Sequence, residues 1–149
     1  MAMASLANGL LHSSLTNLSF QLDKIDYTEL QSLLDVLPET NIRTLSLRRM
    51  GLDDGACARI AAVLPSSTIV DLDLSGNHLT DRSADELCRV IQSDMALMSL
   101  RLSHTRITLP GETDLKKALA VRPQLKIFLD ESGTPIKAMD QDDLVKIDF

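Results

Sequence analysis

The sequence predicts an α/β solenoid in which short strands alternate with helices and each unit stacks on the next. An eleven-residue apolar pattern begins at Leu15, Ile42, Ile69 and Leu97, so the units start 27, 27 and 28 residues apart. The first half of each unit alternates apolar and polar residues, and the second half spaces its apolar residues by three and four. A fixed period of this size is typical of an array whose units bury their apolar faces against one another.

The first half of each unit predicts a strand with one buried face. When the positions of a unit are numbered from its first residue, positions 4 and 6 are apolar and position 5 is polar in all four units. This period-two alternation is typical of a strand that turns one row of side chains toward a core. The apolar residues at positions 4 and 6 are Leu18 and Phe20, Leu45 and Leu47, Leu72 and Leu74, and Leu100 and Leu102.

The second half of each unit predicts a helix. Positions 19, 22 and 23 hold Leu, Ile, Val or Ala in every unit, a spacing that places them on one stripe of a helix. Candidate N-cap residues precede three of these helices at Asp26, Thr80 and Thr108. Pro38 and Pro65 follow two of them, where a proline ends the helical turn and leads into the next strand.

The segment before the first unit is expected to cap the array. Residues 1–14 contain Leu6, Leu10 and Leu11 at helical spacing, which predicts a short helix. Such a cap is needed because the end of a stacked array would otherwise expose its apolar core.

The chain after the fourth unit is expected to close the other end. Residues 15–129 are assigned to the four units and a degenerate fifth strand, which begins at Leu125 and places Phe128 at position 4 and Asp130 at position 6. Residues 130–149 follow as an acidic C-terminal flank or cap. Two interpretations of this flank remain open: its apolar residues shield the last unit, or it is a peptide that docks onto a partner.

The second and third units, LSLRRMGLDDGACARIAAVL and LDLSGNHLTDRSADELCRVI, carry a family resemblance. They resemble the ribonuclease-inhibitor-like subclass of leucine-rich repeats and are similar to repeats of NOD-like receptors and Ran GTPase-activating proteins. The resemblance implies a right-handed solenoid with parallel strands on the concave side, helices on the convex side, and protein–protein recognition as the usual function. The Asn typical of position 9 is present as Asn77, whereas the other units have Asp23, Met50 and Thr105.

Composition and charge disfavour several classes of partner. The net charge is −6, and residues 130–149 contribute six acids and two lysines, so the repeat body is nearly neutral. No basic stripe of the kind that binds nucleic acid is present, and contact with anionic membranes is disfavoured for the same reason. No apolar run approaches the roughly 18 residues of a membrane span. A secretory signal begins with a basic region, but no Lys or Arg precedes Lys24. We therefore expect a soluble, cytoplasmic protein.

Catalytic and metal-binding motifs are missing from the sequence. Asp71 and Asp73 are spaced like the first ligands of a calcium loop, but Arg82 stands where that loop needs a bidentate Glu. No phosphate loop, nucleophile elbow or dinucleotide fingerprint occurs. Cys57 and Cys88 occupy different positions of their units and are expected to be reduced thiols in helices. We therefore expect no enzyme activity, cofactor, metal or small-molecule substrate.

The polar side chains of the predicted sheet form the candidate binding surface. Positions 3, 5 and 7 of adjacent strands should line up in rows on the concave face, where they could give a docked protein its polar specificity. The alternative interpretation is a solvated sheet face on which Asp73 pairs with Arg101, worth less than about 1 kcal/mol. Of the adjacent arginines Arg48 and Arg49, Arg49 is expected to enter the turn. The candidate residues are Thr44, Ser46, Arg48, Asp71, Asp73, Ser75, Ser99, Arg101 and Ser103.

These features predict a non-enzymatic interaction module that acts as an adaptor or as a subunit of a larger protein assembly. One alternative is an effector or inhibitor that binds and blocks an enzyme, as the ribonuclease inhibitor does. A further alternative is a regulator of a small GTPase, which the resemblance to Ran GTPase-activating proteins raises.

Overall fold

The protein forms one five-stranded parallel sheet with a helix in each connection between strands. The computed structural model describes residues 3–20, 24–93 and 96–139. The strands are β1 (Asn17–Ser19), β2 (Thr44–Ser46), β3 (Asp71–Asp73), β4 (Ser99–Arg101) and β5 (Lys126–Phe128). The helices are α1 (Met3–Leu10), α2 (Tyr27–Val36), α3 (Asp54–Val63), α4 (Asp81–Ile91) and α5 (Leu109–Val121), with 3₁₀ turns at Leu37–Glu39 and Leu64–Ser66.

The strand order and register confirm the predicted solenoid. The strands lie in sequence order from β1 to β5, and each of the first four units pairs position 4 with position 4, as in Leu18 with Leu45 and Leu72 with Leu100. Position 4 forms a buried column in which Leu45 and Leu100 are 0% exposed. The strands therefore line the concave side of the solenoid and α2–α5 form its convex side.

Asn77 bonds the second and third units together. Its Oδ1 accepts hydrogen bonds from the backbone N–H groups of Met50 and Leu52, each at 3.0 Å. Its Nδ2 donates to the carbonyls of Leu47 and Leu74, each at 2.9 Å. Asn77 is 2% exposed, so all four bonds lie in the interior, where unpaired backbone groups would be costly.

The predicted helix starts are confirmed at two of three residues. The Asp26 carboxylate accepts from Glu29 N at 2.7 Å, and Thr80 Oγ1 accepts from Arg82 N at 3.3 Å. The prediction for Thr108 is wrong in its detail: the residue precedes α5, but its side chain makes no capping bond and its hydroxyl donates to Asp81 instead.

The fifth strand is present, but its predicted alignment is wrong by one residue. Leu100 pairs with Ile127, so Ile127 occupies position 4, and Phe128 pairs with Arg101 at position 5. Asp130 therefore falls at position 7 and not in the core. The prediction takes the apolar Leu125 as the first residue of the unit. In the structure, Lys126 N donates to Met98 O at 2.9 Å. This backbone pairing starts the unit one residue earlier.

The chain after β5 runs along the open end of the array as far as it is described. Ile136 N donates to the carbonyl of Ile127 at 2.8 Å, and Met139 N donates to Lys116 O on α5 at 3.2 Å. Ile136 is partly buried against the core. Residues 140–149, which hold four of the six flank acids, lie outside the described residues, so the division into cap, array and flank remains a prediction.

Candidate functional site

Six of the nine predicted residues line one shallow depression on the concave face. Side chains at positions 3 and 5 of β2, β3 and β4 point away from the helices because positions 4 and 6 enter the core. The depression has a volume of about 140 Å³, and Leu45 and Leu72 line it between the predicted residues. The six predicted residues that line it are Thr44, Ser46, Asp71, Asp73, Ser99 and Arg101.

The expected exposure of Ser75 and Ser103 is wrong. Ser75 is 0% exposed and Ser103 is 3% exposed, and the Ser75 hydroxyl accepts a hydrogen bond from Ser103 N at 3.0 Å. Each strand ends at position 5, and the backbone then turns, with φ of +75° at Gly76 and +54° at His104. Alternation therefore does not extend to position 7, and the Ser75 hydroxyl bonds its unit to the next one.

Arg48 is the centre of an ion-pair network that the sequence did not predict. Its Nη1 donates to Asp73 at 2.9 Å and its Nη2 donates to Glu131 at 3.0 Å. The Asp73 carboxylate also accepts from Ser75 N at 3.0 Å. Hydrogen bonds to Asp73 and then to Glu131 raise the pKa of Arg48. Asp73 thus pairs with Arg48, and the Asp73–Arg101 pair of the alternative interpretation is wrong.

Arg101 instead covers an aromatic ring. Its guanidinium carbon lies 4.6 Å from the centre of the Phe128 ring, a geometry in which the positive charge is attracted to the ring face. Phe128 is only 8% exposed although it stands at position 5. Arg101 itself stays exposed, so its donors remain accessible at the edge of the depression.

The turn after β2 carries Arg49 as expected. Arg49 and His104 both stand at position 8 and both have φ of +54°, where Gly76 of the intervening unit has +75°. A side-chain-bearing residue in this left-handed region costs roughly 1 kcal/mol relative to glycine. Both residues are exposed.

A second set of inter-unit contacts lies at the helix starts, away from the depression. Asp54 accepts hydrogen bonds from Thr80 N at 2.8 Å, Thr80 Oγ1 at 2.7 Å and Ser83 Oγ at 2.6 Å. In the next pair of units Asp81 accepts from the N–H and the hydroxyl of Thr108. Burial raises the pKa of Asp54, but the hydrogen bonds from Ser83 and Thr80 outweigh it and the pKa is lowered on balance. The hydrogen bond from Thr108 lowers the pKa of Asp81.

Both cysteines are thiols in helices, as the sequence predicts. Cys57 is buried in α3 and Cys88 is partly buried in α4. Burial raises the pKa of Cys57 to about 11 and that of Cys88 to about 12. Within residues 3–20, 24–93 and 96–139, no group of three or more His, Cys, Asp or Glu side chains is placed to hold a metal ion. In the same ranges, no helix has the length and apolar character that crossing a membrane requires.

Comparisons with known proteins agree with the architecture. No family model matches the sequence. The human protein "NACHT, LRR and PYD domains-containing protein 12" is 32% identical over 101 residues, which cover 64% of this chain. The chain spans 10% of the length of that relative.

Two solved structures are similar over most of the chain. One is leiomodin-1 actin-binding site 2, with a TM-score of 0.76, 20% identity, and coverage of 88% of this chain and 78% of that one. The other is the tropomodulin C-terminal domain of Caenorhabditis elegans, with a TM-score of 0.72, 16% identity, and coverage of 90% and 85%. Together with the parallel strand–helix units, these likenesses show that the fold is a leucine-rich-repeat solenoid.

Proposed function

We propose that this chain is a non-enzymatic protein-binding module that serves as an adaptor or a subunit of a larger assembly, and that its partner docks on the concave depression. One observation carries the proposal: six polar or charged side chains from three adjacent strands line a single depression. The strands that hold them are fixed by a buried leucine column, so the surface is pre-organised for contact.

The chemistry of the depression suits a protein surface. Asp71 and Arg101 are exposed charges of opposite sign, while Thr44, Ser46 and Ser99 offer hydroxyl groups between them. Polar groups of mixed sign give orientation and specificity to a docked surface. A depression of this size accommodates one or two partner side chains, whereas a stable contact buries on the order of 800 Å² per partner. We therefore place the depression at the centre of a wider contact along the concave face.

Actin is the first individual partner to test. The structural match over 88% of this chain is to a domain whose name is an actin-binding site. Identity of 20% supports the shared fold and carries no contact residue across. Co-sedimentation with filamentous actin and gel filtration with monomeric actin measure the two possible complexes directly.

A charge-swap variant tests the docking surface. In Asp71→Lys/Arg101→Glu the net charge is unchanged but the sign at both edges of the depression is reversed. We expect this variant to lose the partner that the wild-type chain captures from an extract of the cells that express it. The matched control, Arg82→Glu/Asp85→Lys, makes the same swap at two exposed positions of α4 and should keep the partner.

The outcomes separate the proposal from its alternatives. Equal capture by both variants, with unchanged melting curves, would show that the depression is not the docking surface. An enzyme captured with loss of its activity supports the inhibitor alternative, and faster GTP hydrolysis by a captured GTPase supports the regulator alternative. A stoichiometric complex with neither effect supports the adaptor or subunit role.

A further inference from the structure

Two arginines and a histidine gather beyond the ends of β2 and β4. Arg48 and Arg49 follow β2, and His104 follows β4. The Arg49 side chain lies over the intervening unit, since a Cβ added to Gly76 would stand 2.5 Å from Arg49 Cγ. Arg48 reaches the same unit through its 2.9 Å bond to Asp73. We call Arg48, Arg49 and His104 the basic rim.

One carboxylate of the chain already occupies this rim. Arg48 Nη2 donates to Glu131 Oε1 at 3.0 Å, and His104 Nε2 lies 3.5 Å from the same oxygen, a contact that becomes an ion pair when the imidazole is protonated. Glu131 follows Arg48 by 83 residues, so this contact crosses the concave face from the second unit to the last. The structure therefore shows which group the rim can bind, namely a carboxylate that lies over the ends of the strands.

The Glu131 carboxylate is held weakly. Its side chain is 52% exposed, and the neighbouring residues Asp130, Ser132 and Thr134 make hydrogen bonds within their own turn. An ion pair this exposed shifts an equilibrium by about two- to fivefold at most. Arg48 is better anchored on its other side, because the side chain of its partner Asp73 is only 16% exposed. Arg48 thus keeps an oriented donor when Glu131 leaves.

We propose that the basic rim binds an acidic segment of a partner protein, and that Glu131 is an internal competitor which the partner's carboxylates displace. The inference rests on the proposed function and names the chemistry of the partner. Charge complementarity supports this occupant: Arg49 follows Arg48 in the chain, is exposed, and lies over Gly76 of the next unit. An acidic segment can neutralise both arginines, whereas Glu131 contacts only Arg48 of the two within the described residues.

A peptide-binding measurement tests the rim. The probe is a fluorescein-labelled peptide of alternating Glu and Ser, compared by anisotropy with the same peptide carrying Gln in place of Glu. We expect the Glu peptide to bind the full chain, to weaken as salt is added, and to bind Glu131→Gln about two- to fivefold more tightly because the competitor is neutral. The Gln peptide should not bind.

Matched variants assign the binding to the rim. Arg49→Glu and Arg48→Glu should each weaken the Glu peptide at least tenfold, because reversal turns attraction into repulsion. Arg82→Glu, the same change at an exposed position of α4, should alter binding less than twofold. Arg49 has no side-chain bond to Asp73 or Glu131 among the described residues, so its variant stays informative if Arg48→Glu fails to fold.

Two results would overturn the inference: equal affinity of wild type and Glu131→Gln for the Glu peptide, or no binding of it by either chain. The proposed function fails by a different observation, namely retention of the captured partner by Asp71→Lys/Arg101→Glu. A partner that is lost by that variant but kept by Arg49→Glu supports the depression and rejects the rim.

Discussion

At the scale of single residues, Asn77 joins two units through hydrogen bonds from its side chain to the backbone of the second unit. Replacing it with Ala removes the acceptor for the Met50 and Leu52 N–H groups, which are buried. Because a buried unsatisfied donor costs roughly 1–3 kcal/mol, we expect Asn77→Ala to lower the free energy of unfolding by about 2 kcal/mol or more. Urea denaturation followed by circular dichroism measures this loss.

Thr105 provides the control for Asn77, since it occupies the same position of the fourth unit. Its hydroxyl donates to the carbonyl of Leu102 at 3.0 Å, so Thr105→Ala removes a donor and leaves an acceptor with a second lone pair. This variant should lose less than about 1 kcal/mol. Equal losses in the two variants would mean that position 9 matters through packing and not through the backbone bonds of Asn77.

The reaction rates of the two cysteine thiols test how well α3 and α4 are packed. With the pKa of Cys57 raised to about 11 and that of Cys88 to about 12 by burial, very little thiolate exists at pH 8, and the thiolate is the reactive form. We expect a disulfide reagent to modify both at least tenfold more slowly in the native protein than in urea, and to do so faster as the pH rises. Native-state labelling of Cys57 at the rate of a free cysteine would contradict the burial of α3 against the sheet.

Residue identity predicted the buried positions well and the polar ones poorly. Alternation is enough to assign Leu45 and Leu72 to the core, because burying every second side chain is the only way to satisfy a half-covered sheet. It cannot say where alternation stops, and Ser75 was placed on the surface although it is 0% exposed. Whether Asp73 pairs with Arg48 or with Arg101 depends on the turn after the strand and on how far each side chain reaches. The spacing of the residues encodes neither.

At the scale of elements, the starts of α3 and α4 are each bonded to the start of the following helix by a carboxylate and a threonine. Asp54 and Thr80 stand at positions 13 and 12 of successive units, and Asp81 and Thr108 repeat the arrangement. The sequence predicts Thr80 and Thr108 as caps of their own helices, which is correct for Thr80 but leaves the inter-unit bonds of both residues unpredicted. In the sequence, an acid at a helix start that accepts a hydrogen bond from the next unit cannot be distinguished from an acid that caps its own helix. The structure of the neighbouring unit is needed to tell them apart.

These carboxylates make stability depend on pH in the acid range. The pKa of Asp54 is lowered in the folded chain, so its contribution is complete above the unfolded value near 4 and disappears as the pH falls through the lower folded value. Asp54→Asn keeps the shape without the charge and should lose roughly 1 kcal/mol at pH 7. It should also flatten the fall in unfolding free energy between about pH 5 and pH 2.

Asp35 supplies the comparison for Asp54, because its carboxylate accepts from Gln31 within the same helix. Asp35→Asn should change the free energy of unfolding at neutral pH by less than about 0.5 kcal/mol, as most surface substitutions do. If the unfolding free energy falls with acid identically in wild type and Asp54→Asn, the inter-unit hydrogen bonds of Asp54 do not contribute to that fall.

The fifth strand shows how far repeat spacing reaches. Its existence was predicted from Leu125 and Phe128, and β5 is present at Lys126–Phe128. Its alignment was not predictable, since no helix follows β5 as far as residue 139, and so no apolar stripe was there to set the alignment. The backbone ladder set it instead, and that placed Phe128 on the concave face under Arg101.

At the scale of the whole molecule, stability in a stacked array is approximately a sum of units and of contacts between neighbours. A central unit has two such contacts and a terminal unit has one. Leu72 lies at position 4 of β3, is 1% exposed, and belongs to a strand paired on both sides. Leu18 lies at the same position of the edge strand β1 and is only partly buried. The same substitution at these two residues therefore measures how cooperativity depends on place in the array.

We expect Leu72→Asp to abolish cooperative unfolding, because an unpaired charge in the buried column costs several kcal/mol and interrupts the stack at its middle. Leu18→Asp can turn its carboxylate toward solvent and should keep a cooperative transition with a loss of about 1–2 kcal/mol. Thermal unfolding followed by circular dichroism, with gel filtration of both variants, distinguishes the two. A soluble Leu72→Asp chain that melts cooperatively near the wild-type temperature would mean that position 4 does not enter the core, and the register on which both proposed surfaces depend would be wrong.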